Sequence, residues 1–264
     1  MLDMFFNPQS LAVIGAAREE GKLGYGVINN VITHGFKGKV YPINPKADAI
    51  LGLKCYPSVL AVPEPIDVAV VVIPNKLVAG VMEECGQKGV KGAIIITAGF
   101  RESGGDGMRM EKEILSIAQR YGIRLIGPNC LGIIDTVIPL NASFAVGMPI
   151  PGSMAFMSQS GALCTSVLDW AQGEGIGFSR FVSLGNKADL NEIDFLEAWG
   201  EDDKTRVILG YLEGITNGPK FIRTARKVTR AGTPVIAIKS GTTSAGSRAV
   251  SSHTGTLAGA EAAY

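Results

Sequence analysis

Only two histidines occur in the 264 residues, and one of them, His253, sits in the loop-like stretch Ser244-Ala-Gly-Ser-Arg-Ala-Val-Ser-Ser-His-Thr-Gly-Thr-Leu-Ala-Gly259. Small hydroxyl and glycine residues flank it on both sides, and no apolar periodicity marks it as core. Neutral imidazole, with an ordinary pKa of about 6.5, is a good nucleophile near neutral pH. Its phosphoramidate keeps a high transfer potential, so this residue in this loop points to a phosphoryl carrier, although a solvated surface is the commoner fate of an isolated histidine. A carboxylate can orient an imidazole nitrogen and stabilise its charged form. Glu213, directly after the apolar run Val207–Leu212, is the candidate, with an exposed loop glutamate as the alternative. Ser158-Gln-Ser160-Gly161-Ala162 lies between a strand-like and a helix-like stretch, and the free amides of a helix start suit a phosphate. Ser160 also reads as an N-cap, a role compatible with anion binding. The other histidine, His34, falls near the end of a helical stretch and is assigned to helix capping.

The first half carries a different chemistry. Leu11-Ala-Val-Ile-Gly15 is a strand followed by glycine, and Gly21-Lys22-Leu23-Gly24-Tyr-Gly26 then opens a helix. Glycines let backbone amides approach phosphate oxygens, and the helix start adds a favourable field. Such a turn also occurs without any ligand. At the end of the next strand, where a nicotinamide dehydrogenase places an acid for the ribose hydroxyls, stands Tyr41-Pro-Ile-Asn-Pro-Lys46. A lysine there suits a ribose phosphate, which coenzyme A carries and NAD does not; NADP stays open on this evidence, as does a merely solvated Lys46. Ile73-Pro74-Asn75 and Thr97-Ala98-Gly99 are two further strand ends on the same expected edge, with small residues that leave room for a nucleotide arm.

These residues need a scaffold that gathers strand ends at one edge. Leu11–Ile14, Val40–Ile43, Val68–Ile73, Ala93–Thr97 and Arg124–Ile126 read as buried parallel strands, with helices over Gly26–His34, Lys76–Lys88 and Met108–Tyr121. Gly35 and Gly122 fall just past helix ends. Asp135–Gly152, with Pro139, Pro149, Pro151 and Gly152, lacks this alternation, so a domain boundary is expected there: residues 1–145 and 146–264. A second series follows, with strands Met154–Met157, Phe181–Ser183, Val207–Leu212 and Val235–Ile238, and helices Ala162–Gln172, Glu192–Trp199 and Lys220–Ala231. Ser240–Gly255 is a Gly/Ser/Thr-rich loop running into a helix-like Leu257–Tyr264, where the chain stops. A natural domain seldom ends inside a helix, so a fragment of a longer polypeptide is expected. The fold class is α/β, a doubly wound pattern in two domains.

Composition removes whole classes of function. At 46% hydrophobic and 19% charged residues the chain is globular. A formal net charge of +1, with 25 basic and 24 acidic residues interspersed, offers no basic stripe for nucleic acid and no polybasic membrane patch. Apolar runs are strand-length, and the N-terminus lacks the basic start and long apolar core of a signal peptide. The four cysteines are scattered without a CxxC pair, so no metal site and a reduced, cytoplasmic setting are expected.

Taken in order, Phe6-Asn-Pro-Gln-Ser-Leu-Ala-Val-Ile-Gly15, Asn44-Pro-Lys46, Ile96-Thr-Ala-Gly99, Gly127-Pro-Asn-Cys-Leu-Gly132, Ser158-Gln-Ser-Gly161 and Ser252-His-Thr-Gly255 resemble the NDP-forming (ADP-forming) acyl-CoA synthetases, with the α subunit of succinyl-CoA synthetase as a more distant relative. The resemblance covers essentially the whole chain. It implies an N-terminal Rossmann-like coenzyme A-binding domain and a flavodoxin-like ligase domain. It further implies reversible conversion of acid, coenzyme A and ATP to acyl-CoA, ADP and phosphate through an acyl phosphate and a phosphohistidine. By position, Gly21, Lys22, Leu23, Gly24, Lys46 and Thr97 to Gly99 would contact coenzyme A, and Asn129 and Cys130 would lie near its thiol, Cys130 without a covalent role. His253 would be phosphorylated, Glu213 would steady it, and Ser160 to Ala162 would hold phosphate. The implied partners are an ATP-grasp (β-type) domain or subunit carrying ATP and magnesium, and a small carboxylic acid or acyl-CoA, in an oligomer. Thr165 or a neighbour stands where succinate-specific relatives carry tyrosine, which argues against succinate. With no ATP-grasp part in it, the chain by itself would bind coenzyme A without completing the nucleotide step. The competing readings are a coenzyme A-sensing or scaffold module, which would not need both His253 and Glu213, and an NADP-dependent oxidoreductase, for which no hydride-transfer constellation is found.

Overall fold

The computed structural model describes residues 2–241; His253, the Ser244–Gly259 loop around it and the helix-like stretch 257–264 lie outside the described residues. Along the chain, α1 (Asp3–Phe6) leads to β1 (Ser10–Ile14), α2 (Leu23–Thr33), β2 (Lys39–Ile43) and a small ribbon of β3 (Ala49–Ile50) and β4 (Leu53–Lys54). Then come β5 (Val68–Val71), α3 (Asn75–Lys88), β6 (Gly92–Ile95), α4 (Gly105–Tyr121) and β7 (Arg124–Ile126). A hairpin, β8 (Gly132–Asp135) and β9 (Leu140–Ser143), precedes β10 (Pro151–Ser158), α5 (Gly161–Gly173) and β11 (Phe178–Ser183). The described part closes with α6 (Glu192–Gly200), β12 (Val207–Leu212), α7 (Gly218–Arg230) and β13 (Val235–Lys239).

Two sheets result. The first is parallel throughout, in the order β2-β1-β5-β6-β7. Its strands are apolar on both faces because helices cover both. Leu11, Val13, Val68 and Val70 face Val27, Ile28 and Val31 of α2, whereas Ala12, Ile14, Ala69 and Val71 face Val78, Met82 and Cys85 of α3 and Ile114 and Ile117 of α4. Gly122 ends α4 in the left-handed conformation that a side chain resists, and Gly35, just past the C-cap His34 of α2, has φ +91. The second sheet runs β13-β12-β10-β11-β8-β9, parallel from β13 to β11 and antiparallel through the hairpin. No described helix is long and apolar enough to cross a membrane.

The stretch from Asp135 to Gly152, read from sequence as lacking strands, contains β9, and by hydrogen bonding the second sheet begins at Gly132. Its pattern is hidden because polar residues are buried beside the apolar ones: Asp135, Asn141 and Ser143 are fully buried, as are Leu140 and Ala142. The side chains of Asn141 and Ser143 bond each other, Gly147 O and Ala145 N within the hairpin region, while further bonds reach across the molecule. Arg180 contacts both Asp135 and Asp202, and Asn30 of α2 donates to the carbonyls of Ser143 (2.9 Å) and Ala145 (2.7 Å). The hairpin thereby belongs to the second sheet while packing on the helix of the first. One hydrophobic cluster runs through both halves, from Leu11 and Val27 to Leu140, Met157, Phe195 and Trp199. Loop 186–190 extends the joint: Leu190 N donates to Leu125 O (3.1 Å), and Asp189 accepts from Leu125 N (2.8 Å) and Arg124 Nε (2.9 Å).

Candidate functional site

The strand ladders stop short of the apolar runs. β5 ends at Val71 and β6 at Ile95, two residues before the sequence limits of 73 and 97. From there the chains splay, and Val72 to Pro74 and Ile96 to Ala98 line a cavity of about 1200 Å³ at the carboxyl edges of both sheets. Ligands of open parallel sheets sit at that edge. Thr97 Oγ1 is fixed by donating to Ile73 O (2.7 Å), and Asn129 N donates to Thr97 O (3.0 Å).

Two glycines shape the floor. A Cβ on Gly15, whose φ is +89, would stand 2.2 Å from Val72 O, and one on Gly24 would stand 1.9 Å from Gly15 O. Only hydrogen at both positions lets α2 start against the β1 turn. No side chain caps α2: Lys22 is the N-cap without a side-chain bond, and no acid lies in the first turn. Tyr25 and Gly26 donate their amides to Lys22 O, so the amides of Leu23 and Gly24, ahead of them, stand outside the helix's own bonds at its positive end. Lys22, Leu23 and Gly24 line the cavity, and the cations Arg18 and Lys46 join them. Asn44 holds this rim together, donating to Ala16 O (2.8 Å) while accepting from Lys46 N (2.9 Å).

The opposite wall belongs to the second half. Ser160 caps α5 by accepting from Leu163 N (3.3 Å), and Gly161 and Ala162, next in the first turn, line the cavity with Thr165. Asn129, Cys130, Leu131, Phe144, Gly185 and Asn186 complete it. Burial pushes the Cys130 thiol up to about 12, and it donates to Ile95 O (3.4 Å), so it is a neutral wall residue at physiological pH.

Behind this wall lies a buried polar clamp on the loop after β12. Gln159 Oε1 accepts from Glu213 N (2.8 Å) and Gly214 N (3.0 Å). Lys239 Nζ donates to Glu213 O (2.9 Å), and Lys187 Nζ to Gly214 O (2.6 Å). Lys187 also pairs with Glu192 (2.7 Å), side chains 6% and 0% exposed, and the other Glu192 oxygen accepts from Thr216 N (2.7 Å). Burial draws both lysines below their ordinary value, against the pull of Glu192 on Lys187 and of Glu213 on Lys239. Every backbone polar group of residues 213 and 214 is thus engaged, which fixes where Glu213 stands.

Residues 9–136 match the family described as a CoA binding domain, and residues 151–264 that described as a succinyl-CoA ligase like flavodoxin domain. All of the chain aligns, 50% identical over 263 residues, with the ADP-forming acetate–CoA ligase I of Archaeoglobus fulgidus, covering 38% of that protein. It is 48% identical over 264 residues to the α subunit of the ADP-forming acetate–CoA ligase II of Pyrococcus furiosus, covering 57% of it. The solved dinucleotide-forming acetyl-coenzyme A synthetase 1 of Candidatus Korarchaeum cryptofilum, in complex with phosphate and ADP, superposes with a TM-score of 0.95 at 45% identity, over 99% of this chain and 56% of that one. The chain belongs to the ADP-forming acyl-CoA synthetase family. It spans roughly a third to just over half the length of these relatives.

Within this synthetase architecture, Gly15, Lys22, Leu23, Gly24, Lys46, Pro74, Thr97, Ala98, Asn129, Cys130, Gly161 and Ala162 come together around the one cavity. Four of the residues singled out from sequence do not line it. Gly21 has φ +84 in the loop before α2. Gly99 donates its amide to Glu102 (2.5 Å) and its carbonyl accepts from Asn75 (2.7 Å), so it serves the turn. Ser160 is occupied as a cap, and Glu213, 5% exposed, stands behind Gln159. Sequence reading assigned no role to Arg18, Phe144, Gln159, Gly185 or Asn186. For Gly185 and Asn186 a signal existed, since they follow strand Phe178–Ser183 at the same carboxyl edge; Phe144 and Arg18 carried none.

Proposed function

We propose that this chain is the coenzyme A-binding, phosphohistidine-carrying part of an ADP-forming acyl-CoA synthetase, an acid–thiol ligase. In this reading residues 1–145 hold coenzyme A and residues 146–264 form the ligase domain bearing His253. An ATP-grasp domain or subunit, with ATP and magnesium, completes the enzyme as part of an oligomer. The observation that carries the reading is one cavity joining the glycine–lysine cradle of the first half to the N-terminal turn of α5 in the second. A pyrophosphate over the free amides of α2, a ribose phosphate beside Lys46 and a thiol end near Asn129 and Cys130 would follow the cavity lining from one half to the other.

The chemistry follows from that arrangement. In the acyl-CoA-consuming direction, a phosphate oxygen attacks the thioester carbonyl, the carbon–sulfur bond breaks, and coenzyme A leaves as the thiol. The first-turn amides of Gly161 and Ala162 stabilise the oxygen charge of the phosphate and of the acyl phosphate. Neutral His253 then attacks phosphorus and the carboxylate departs, leaving the phosphoryl group on the imidazole. Glu213, positioned by its clamp, favours the charged imidazole ring. Transfer to ADP occurs on the ATP-grasp part, and the reverse sequence makes acyl-CoA. Thr165, which lines the cavity where succinate-specific relatives carry a tyrosine, argues against succinate and leaves acetate, branched or aryl acids open.

The deciding experiment is phosphorylation of His253 in the complete enzyme by labelled ATP and magnesium. The expected label is acid-labile and alkali-stable, absent in His253→Ala, and discharged by a carboxylic acid together with coenzyme A. Absence of label with coenzyme A still bound would leave a coenzyme A-sensing module instead.

A further inference from the structure

Of the residues that clamp the Glu213 loop, Gln159 is the one that also lines the cavity. Its side chain is 4% exposed, and its oxygen is consumed by two backbone amides, from Glu213 and Gly214. Those two donors fix which end of the carboxamide is oxygen, because an NH₂ group cannot accept from them. The NH₂ end makes no hydrogen bond among the described residues and is not one of their fully buried unpartnered atoms, so it keeps access to open space at the cavity wall. Gln159 also immediately precedes Ser160, whose cap opens the amides of Gly161 and Ala162 to the same space. A donor at the cavity wall with its acceptor end locked is oriented before any ligand arrives, the condition under which a hydrogen bond to developing charge is most effective.

We propose that Gln159 is a substrate-contacting residue, its Nε2 donating to an oxygen of the phosphate or acyl phosphate in the cavity while its Oε1 holds the backbone of Glu213. This rests on the proposed synthetase reaction and extends it. A single rigid amide would join the site of acyl-phosphate chemistry to the loop that presents Glu213, so the two are held in register. The donor matters in the cavity step and not in loading from ATP, which occurs on another part of the enzyme.

Gln159→Glu separates the two roles. A carboxylate can still accept from both amides of the loop, but it cannot donate to a phosphate and repels it. Gln159→Met removes both functions. In the complete enzyme, Gln159→Glu is expected still to take label from ATP on His253, since that loading occurs on the ATP-grasp part. With acetyl-CoA and inorganic phosphate as probes, its KM for phosphate should rise at least about tenfold, as expected when a hydrogen bond to a charged group is lost. Discharge of the label by acetate and coenzyme A should slow in parallel. Gln159→Met should slow discharge further than Gln159→Glu does, because it also frees the backbone that positions Glu213. An unchanged phosphate KM and unchanged discharge in Gln159→Glu would overturn the proposal while leaving the synthetase reading intact. Failure of the wild-type enzyme to take label would overturn that reading itself, and this inference with it.

Discussion

Individual side chains differ sharply in what their surroundings allow them to do. Lys46 lines the cavity on a rim held by Asn44, where a cation can meet a ribose phosphate. Lys46→Met is expected to weaken coenzyme A binding by about tenfold, roughly 1.4 kcal/mol. It should leave binding of 3′-dephospho-coenzyme A unaltered, and titration calorimetry with both ligands checks this. Cysteines show the opposite case. All four are buried free thiols, and desolvation raises Cys85, Cys130 and Cys164 each to about 12. At pH 8 the native protein should therefore react with a thiol reagent no faster than it unfolds, whereas denatured chain reacts at once. The same shift has a sign for stability. Between the ordinary thiol value of 9.0 and the raised folded value, the unfolded chain loses protons that the native one keeps, so stability falls as pH rises through that window.

At the scale of elements, the cavity exists because helix starts meet strand ends without intervening atoms. Gly24→Ala adds a methyl where Gly15 O already lies, 1.9 Å from the ideal Cβ. Alanine gains about 0.8–1 kcal/mol of helix propensity over glycine, but displacing α2 from the β1 turn costs about 1–3 kcal/mol. The expected outcome is a lower melting temperature and loss of coenzyme A binding, read by calorimetry and ligand-induced stabilisation. The hairpin of β8 and β9 depends on α2 in another way. Asn30 supplies both amide protons to Ser143 O and Ala145 O, so Asn30→Ala leaves two buried carbonyls unpaired. A loss of about 2–3 kcal/mol in denaturant unfolding is expected.

At the scale of the whole molecule, the two sheets behave as one body because their joint is a core and not a linker. The cluster that includes Leu11 and Val27 continues to Phe195 and Trp199, and α1 adds Phe6 against both aromatic rings. Loop 186–190 then bonds along β7, and Arg101, Glu102 and Glu111 of the first half meet Asn186 of the second. Fluorescence of Trp199, within the joint, and far-UV circular dichroism, reporting both sheets, should follow one coincident denaturant transition. Separate midpoints would mean that the halves unfold independently. The cavity lies across this joint, with both of its walls packed on the shared core.

The amino-acid sequence by itself determined the alternation of strands and helices, because apolar runs and helix-ending glycines such as Gly122 are local properties that each segment carries alone. It also marked the glycine turn between Gly15 and Gly24 and the start of α5, since a glycine or a cap is recognisable from its neighbours in the chain. Tertiary structure decided what required distant segments to meet. β9 was illegible because Asn141 and Ser143 are buried polar residues, satisfied by each other and by Gly147 O and Ala145 N once the hairpin packs on α2. Gln159 was visible inside its motif, yet nothing near it in sequence reveals that Glu213, 54 residues later, donates its backbone amide to it. Gly99 looked like Ala98 until Glu102 and Asn75 took its amide and carbonyl. Hydrogen bonds saturate, and which group takes the last partner is settled only when the chain has closed on itself.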